Sequence, residues 1–388
     1  MPENPPSNGN VLPLKHQNSF TLIRLILALM VVFGHTYALG GFGAEPLERW
    51  TSGRLSGREL AVYCFFVLSG YLLCHSLAIH DSLSRFAIRR ACRILPGFWT
   101  CLAVMVFIVT PVYFWIFYPD SLSYLEIITY GHKNALRFAA INGSFWGQQG
   151  AIVGLFPKNP VWNYANGSLW SIRWEAYCYI VLGIAAFGKA QKHRGFLSCL
   201  FALQYGAYLC VAYPELAKHA GVLSPIAQFF TWESYWATIE GALLCFTAGV
   251  ALQTFSRGAR LWNPWVFTVT SIFFGVSIPS QLVLVVWPLT VPYLLISLGQ
   301  RLPFSGFERY GDFSYGVYLY SFLIQQCLIA FGVHKPGFLS LLVLSVILSL
   351  IAGAISWFLI ERPAIAWGSR LIRSIPVSRP EHVVALAE

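Results

Sequence analysis

Two polar side chains stand inside the first long apolar stretch of the chain. Arg24 and His35 lie eleven positions apart within residues 20–39. As a helix this stretch would rise about 1.5 Å per residue, which separates the two side chains by about 16 Å along the axis. Polar groups in membrane spans are costly and usually functional. A neutral imidazole at position 35 is suited to taking a proton from an alcohol that attacks a thioester, or to accepting an acyl group itself.

Glu175 is the second candidate for catalysis, within another apolar stretch at 167–187. A carboxylate commonly fixes the tautomer of a catalytic imidazole and stabilises its cation. We predict this role for Glu175 towards His35, since an error of one helical turn in the boundaries would bring both to the same depth. The alternative is an ion pair of Glu175 with Arg173 or Arg24 inside the membrane.

A basic run at 85–96, RFAIRRACRILP, precedes the apolar stretch at 98–118. Arg90 and Arg93 are three positions apart, so they would share one face of a helix. Their forked donors suit the phosphates of a nucleotide-bearing donor, and Arg24 would add a third charge at the same membrane level. Two alternatives remain open, in which the run is a topology anchor or lipid-phosphate contact and Arg24 is a snorkelling anchor.

The composition indicates what kind of scaffold must position these residues. The chain has 388 residues, of which 56% are hydrophobic and 11% charged, and its mean hydropathy is +0.60. Such a chain is typical of polytopic membrane proteins rather than soluble ones. We predict an all-α transmembrane bundle in a single domain, with about ten spans at 20–39, 59–79, 98–118, 167–187, 196–213, 237–253, 262–279, 281–298, 313–332 and 338–360.

The predicted transmembrane domain covers 20–360, between tails at 1–19 and 361–388. Lys and Arg are more frequent in the loops on one side of this topology, which places both termini in the cytoplasm. The interval 119–166 is long for an unstructured outer loop, so we expect an external loop with short helices or a re-entrant segment.

The charge and the cysteines exclude some other functions. The net charge is +10, but the basic residues are scattered over membrane-flanking loops, which argues against nucleic-acid binding. Most of the nine cysteines lie in apolar stretches without CxxC spacing, so neither a disulfide framework nor a metal site is indicated.

Taken together, these features resemble the acyltransferase-3 family of bacterial integral membrane acyltransferases. The resemblance extends from about residue 19 to 367, and its motifs occur in the family's order. They are the Arg-x10-His pair Arg24 and His35, FFVLSGYLL at 65–73, the RxxR pair Arg90 and Arg93, NGSLWSIRWE ending at Glu175, SYGVYLY from Ser314, and Glu361-Arg362-Pro363.

The resemblance implies an enzyme of the bacterial inner membrane, in contact with membrane lipids. It would move an acyl group, foremost acetyl, from cytoplasmic acyl-CoA to a hydroxyl of a surface or secreted glycan, without a metal. It also implies His35 as the catalytic base, Glu175 as its helper, and Arg24, Arg90 and Arg93 as the donor-binding set.

One position departs from the family pattern. Many relatives have a histidine after the YLY triplet, where this chain has Ser321, so no catalytic role is assigned there. A transporter or flippase of lipid-linked sugars is the alternative function for such a bundle. Transporters usually contain inverted repeats, and we find no such symmetry in this sequence.

Overall fold

The structure is a computed structural model, and it describes residues 18–79, 82–119, 123–129, 131–213 and 234–374. Most of the predicted N-terminal tail, 1–17, and the end of the predicted C-terminal tail, 375–388, lie outside the described residues. Throughout the described ranges the regular structure is helical, without β-strands, which confirms the predicted all-α class.

The α-helices of the described residues, in chain order, are α1 (Phe20–Gly40), α2 (Pro46–Trp50), α3 (Gly57–Ile79), α4 (Leu83–Val104), α5 (Thr110–Phe117), α6 (Tyr124–Thr129), α7 (Ala135–Gly143), α8 (Leu169–Phe187), α9 (Arg194–Ala212), α10 (Ser234–Ser256), α11 (Pro264–Ser277), α12 (Val283–Arg301), α13 (Ser314–Ala330), α14 (Phe338–Ser356) and α15 (Arg362–Ser374). Two π-helical turns, Met105–Val109 and Trp357–Glu361, join α4 to α5 and α14 to α15. Two short 3-10 helices lie at Ala190–Lys192 and Ser305–Tyr310.

Seven helical stretches of the described residues are long and apolar enough to cross a membrane, which makes the chain a multi-pass membrane protein. They are Phe20–Gly40, Gly57–Leu77, Leu83–Phe117, Arg194–Ala212, Thr238–Ser256, Val283–Arg301 and Phe338–Ser374. The three other predicted spans coincide with α8, α11 and α13. Helix α11 has 14 residues and α13 has 17, fewer than the roughly 20 of a full span. The total of about ten therefore stays a prediction.

Helix α4 begins well before the start predicted for the third span. The prediction placed that start at 98, whereas the helix begins at Leu83, where the Ser82 hydroxyl caps it by accepting from the backbone N–H of Arg85 at 3.4 Å. The stretch Leu83–Phe117 has 35 residues, about 52 Å at 1.5 Å per residue. The basic run is thus part of the helix, and its arginines are oriented by the helix itself.

Helices α3 and α10 form the centre of the bundle, where two glycines allow their backbones to meet. A Cβ on Gly70 would lie 2.1 Å from the carbonyl oxygen of Phe246, and one on Gly249 would lie 2.2 Å from that of Val67. Small residues permit such close approach between helices in membranes. This close packing fixes α3. Residues from the first and from the second half of this helix belong to the site.

Helix α7, within the interval 119–166, and helix α15 also pack on the bundle. Trp99 of α4 donates from Nε1 to the carbonyl oxygen of Gly143, the last residue of α7, at 3.1 Å. Helix α15 lies against α4, since a Cβ on Gly368 would be 2.7 Å from Sγ of Cys92. Residues 362–374, which we predicted as part of a tail, are therefore a packed helix.

Candidate active site

A network of charged side chains lies at one end of the bundle. This is the end at which α1 begins, and we call it the Phe20 face. Asp312 Oδ2 accepts from Nη1 of Arg24 at 3.0 Å and from Nη2 of Arg93 at 2.5 Å. Arg93 also pairs through Nη1 with Oε2 of Glu361 at 3.3 Å. The charges of Arg24 and Arg93, both predicted to bind a donor, are thus already compensated by carboxylates.

Local structure explains how the two acids reach Arg93. Asp312 stands just before α13, where its Oδ1 accepts from the Ser314 hydroxyl at 2.5 Å. Glu361 is the last residue of the second π-helical turn, and its Oε1 accepts from the Ser356 hydroxyl at 2.8 Å. The network joins α1 and α4 to α13 and to the end of α14. Neither acid was predicted from the sequence as a partner of Arg93, although Asp312, a lone acid two residues before the SYGVYLY stretch, was a usable signal.

Two arginines of α4 have no such compensation. Arg90 has a buried Nε without a hydrogen-bond partner, and Arg89 has a buried Nε and Nη2 in the same state. Among the described residues neither forms a salt bridge. Leaving buried donor nitrogens without a partner is costly, so an anionic ligand here would be favoured. Arg89 was not singled out by the sequence, because spacing alone does not separate it from its neighbours.

Arg24, Arg90 and Arg93 converge on two adjacent cavities. The central cavity, about 90 Å³, is lined by these three arginines together with Glu175 and other residues. The mouth cavity, about 380 Å³, is lined by the same three arginines and by residues that include Arg89, Asp312, Trp357 and Ser369. The structure therefore brings the predicted donor-binding set together at one place.

Glu175 belongs to the central cavity. Its Oε1 accepts from the Ser69 hydroxyl at 2.6 Å and from the Tyr179 hydroxyl at 2.5 Å. Ser69 lies in the FFVLSGYLL stretch of α3, and Tyr179 lies one turn further along α8. Both hydroxyls and Arg90 line the same cavity as the carboxylate.

His35 lines a separate cavity of about 470 Å³, which we call the histidine cavity. The other lining residues include Arg58, Glu59, Tyr164 and Trp170. The edge of the Phe322 ring contacts the imidazole, with ring centroids 5.1 Å apart. Nδ1 of His35 is buried without a hydrogen-bond partner. The hydrogen bond that we expected between Glu175 and His35 is therefore not made through Nδ1, and Glu175 faces the central cavity instead.

Tyr318 and Val62 line both the central and the histidine cavities. The Tyr318 hydroxyl lies 2.6 Å from Oγ of Ser171, and both side chains are buried. The Tyr318 ring also packs edge-on against Phe65, with centroids 5.9 Å apart. A phenol and its hydroxyl partner thus stand between the arginines and the imidazole.

The histidine cavity is shaped by the link between α1 and α3. The Glu45 carboxylate is 2% exposed and accepts from the backbone N–H groups of Gly57 and Arg58. A Cβ on Gly34, next to His35, would lie 2.6 Å from Oε2 of Glu45 and 2.8 Å from Cβ of Arg58. Burial raises the pKa of the Glu45 carboxyl, and the bonds and charge from Arg58 oppose that shift in part.

Acid, histidine and cysteine side chains do not gather into a metal site in the part of the chain that the structure describes, where no group of three could hold an ion. The cavities are lined instead by guanidinium, hydroxyl, carboxylate and imidazole groups. Such a set can bind an anion and move a proton.

Comparisons with known proteins agree with this chemistry. A family model described as an acyltransferase domain matches residues 17–358. The chain is 27% identical over 354 residues to a protein named "O-acetyl transferase" from Shigella phage Sf6, covering 89% of this chain and 95% of that one. It is 26% identical over 388 residues to "Nodulation protein 10" from Rhizobium leguminosarum bv. viciae, covering 96% of this chain and 98% of that one. No solved structure matches significantly.

Proposed function

Since the chain belongs to the acyltransferase-3 family, we propose that it is an O-acetyltransferase that uses acyl-CoA and modifies a hydroxyl of a surface or secreted glycan. The name of the phage relative, "O-acetyl transferase", supports the acyl group and the kind of acceptor atom. In this proposal the protein lies in the bacterial inner membrane with both termini in the cytoplasm. The Phe20 face is then cytoplasmic, and the interval 119–166 lies outside.

The donor would enter from the Phe20 face through the mouth cavity. The phosphates of coenzyme A would bind the guanidinium groups of Arg89 and Arg90, and would supply acceptors for their buried nitrogens that have no hydrogen-bond partner. Arg24 and Arg93 would line the same passage while bound to Asp312. The pantetheine arm would then extend through the central cavity towards Tyr318.

His35 would act at the far end of this path. A sugar hydroxyl in the histidine cavity attacks the thioester carbonyl, a C–O bond forms, and the C–S bond breaks. His35 takes the hydroxyl proton as the general base and returns it to the departing thiolate, which leaves as free coenzyme A. Trp170 and Tyr164 in the cavity wall provide apolar ring surface for a sugar.

Glu175 would serve the donor side rather than His35. Its carboxylate lines the cavity with Arg90 and accepts from two neutral hydroxyls. Held in this way, it can keep the Arg90 guanidinium oriented towards the passage by charge attraction. This role replaces the direct support of the imidazole that the sequence suggested.

The observation that carries the proposal is the order of groups along one line of cavities. Unpaired arginines lie at one end, an imidazole lies at the other, and one tyrosine borders both compartments. This order suits a donor and an acceptor that arrive from opposite sides.

The test is mass spectrometry of surface glycans from a strain that lacks the gene, complemented with either the parent or His35→Ala. We expect acetylated glycan with the parent and a loss of about 10²–10⁴-fold in rate with the variant. His75, a buried histidine bonded to Gln253 through Nδ1, provides the matched control His75→Gln. Full acetylation with His35→Ala at normal protein level would remove His35 from the mechanism.

A further inference from the structure

Tyr318 and Ser171 form a hydrogen-bonded pair between the cavities. Neither the proposed binding of the donor nor the proposed proton transfer gives this pair a role. Tyr318 lies on α13 and Ser171 on α8, and both line the central cavity, whereas Tyr318 also lines the histidine cavity. Tyr318 is 6% exposed and Ser171 is 4% exposed. Their 2.6 Å hydrogen bond joins two helices at the boundary between the compartments.

We propose that the Tyr318–Ser171 pair is the constriction that the acyl group must pass, and that the Tyr318 ring sets the length of acyl group that the enzyme transfers. This inference rests on the proposed function, because it requires a thioester that approaches His35 from the arginines. It goes beyond that function by assigning selectivity for acyl length to one side chain.

The acyl group is the leading end of the donor, so it meets the boundary before the pantetheine arm does. The compartment on the donor side is small, about 90 Å³, and the one beyond the boundary is about 470 Å³. In this proposal, selection by size acts at the boundary itself, where Tyr318 and Val62 line both compartments. In a tight site each additional methylene changes discrimination by roughly 10–200-fold.

The pair is also built to open. The Tyr318–Ser171 hydrogen bond joins two neutral groups, and leaving a buried hydroxyl without a partner costs about 1–3 kcal/mol, so a donor that reaches the boundary can displace Tyr318 from Ser171 at that cost. The Phe65 ring, packed edge-on at 5.9 Å, limits how far the phenol can turn. A short acyl group needs a small displacement, whereas a longer one must force the ring against Phe65.

The experiment compares acetyl-CoA with butyryl-CoA as donors for the purified full chain in nanodiscs, with kcat/KM measured for each. We expect the parent to prefer acetyl-CoA, and Tyr318→Ala to reduce that preference by about tenfold or more. Tyr318→Phe retains the ring and should retain most of the preference. Tyr293 is bonded to the carbonyl oxygen of Leu261 and lines none of the three cavities, so Tyr293→Ala is the matched control and should keep it.

The outcomes separate this inference from the function on which it rests. If the parent transfers no acetyl group from acetyl-CoA, the proposed function fails. If the parent transfers acetyl but accepts butyryl equally well, or if folded Tyr318→Ala keeps the parent's preference, the constriction is wrong. Should Tyr318→Ala not fold, Val62→Ala enlarges the same boundary and should relax the preference in the same direction. An unchanged preference there would also overturn the inference.

Discussion

Arg93 and Asp312, 219 positions apart in the chain, form a salt bridge of 2.5 Å in the interior of the bundle. Arg24 binds the same carboxylate oxygen at 3.0 Å. One acid therefore compensates two of the three arginines that the sequence grouped as donor ligands. This arrangement separates the arginines into two that hold the helices together and others that remain available for a ligand.

Asp312→Asn should destabilise the protein, because Arg24 would lose its only salt bridge among the described residues and Arg93 would keep only Glu361. Breaking a buried pair by removing one partner costs about 3–5 kcal/mol. We expect a lower midpoint of thermal unfolding in detergent. Adding Arg24→Gln to Asp312→Asn should recover part of the loss, since it removes an uncompensated charge.

The matched control for Asp312→Asn is Glu126→Gln. Glu126 is exposed and bonds to the nearby Ser123, so its charge supports a local turn alone. Equal unfolding midpoints for Asp312→Asn and Glu126→Gln would mean that the network contributes little to the stability of the bundle.

Arg89→Ala and Arg90→Ala should each weaken binding of acetyl-CoA. Hydrogen bonds to charged groups contribute about 1.5–3 kcal/mol, so we expect Kd to rise by about tenfold to a hundredfold. Lysine at either position should restore binding in part, because it keeps the charge and loses the fork. Titration calorimetry in nanodiscs measures the effect, with the exposed Arg373→Ala as a charge-matched control. Unchanged affinity in both variants would support the alternative interpretation, in which the basic run at 85–96 is a topology anchor.

Glu175→Gln distinguishes the two roles considered for this residue. The amide oxygen can still accept from Ser69 and Tyr179, while the negative charge beside Arg90 is lost. We expect a changed KM for acetyl-CoA, with no change in the pH dependence of kcat. A shifted pH profile of kcat with an unchanged KM would instead support direct action of Glu175 on His35.

Much of the fold follows from the sequence, because apolar stretches of about 20 residues have few alternatives to a helix in a membrane. The start of α4 was less predictable. Charged residues argue against a buried helix, and the ion pair of Arg93 with Asp312 that permits it joins distant parts of the chain. The bounds of α11 coincide with local signals that hydropathy does not record, since Asn263 caps its start by accepting from the N–H groups of Trp265 and Val266.

Part of the candidate site was predictable from the sequence, whereas Arg89, the partner role of Asp312 and the arrangement of the cavities were not. Spacing in α4 placed Arg90 and Arg93 on one helical face, and both side chains line the central and mouth cavities. The depth of a residue along a helix, however, does not tell in which direction around the helix axis its side chain points. Glu175 and His35 were therefore matched by depth, whereas their side chains line different cavities. Tyr318 was visible as part of a tyrosine-rich stretch, but its place between the cavities required the structure.

Glu45 makes the stability of the link between α1 and α3 depend on pH. Burial raises the pKa of its carboxyl above the ordinary value, so the folded protein binds this proton more tightly than the unfolded chain does. The free energy of unfolding should then fall as pH rises from the ordinary pKa of a glutamate through the raised one. Glu45→Gln should flatten this slope, because the amide keeps an acceptor for the N–H groups of Gly57 and Arg58 and does not titrate.

Unfolding midpoints measured across that pH interval test the Glu45 prediction, with the exposed Glu308→Gln as the control that should keep the parent's slope. Gly34→Ala probes the same contact from the other side, since its methyl group would displace the Glu45 carboxylate and Arg58 next to His35. We expect this variant to lose acetyl transfer and to expose the carboxyl to water, which also flattens the slope. A Gly34→Ala protein with the parent's slope and activity would show that Glu45 does not support the histidine cavity.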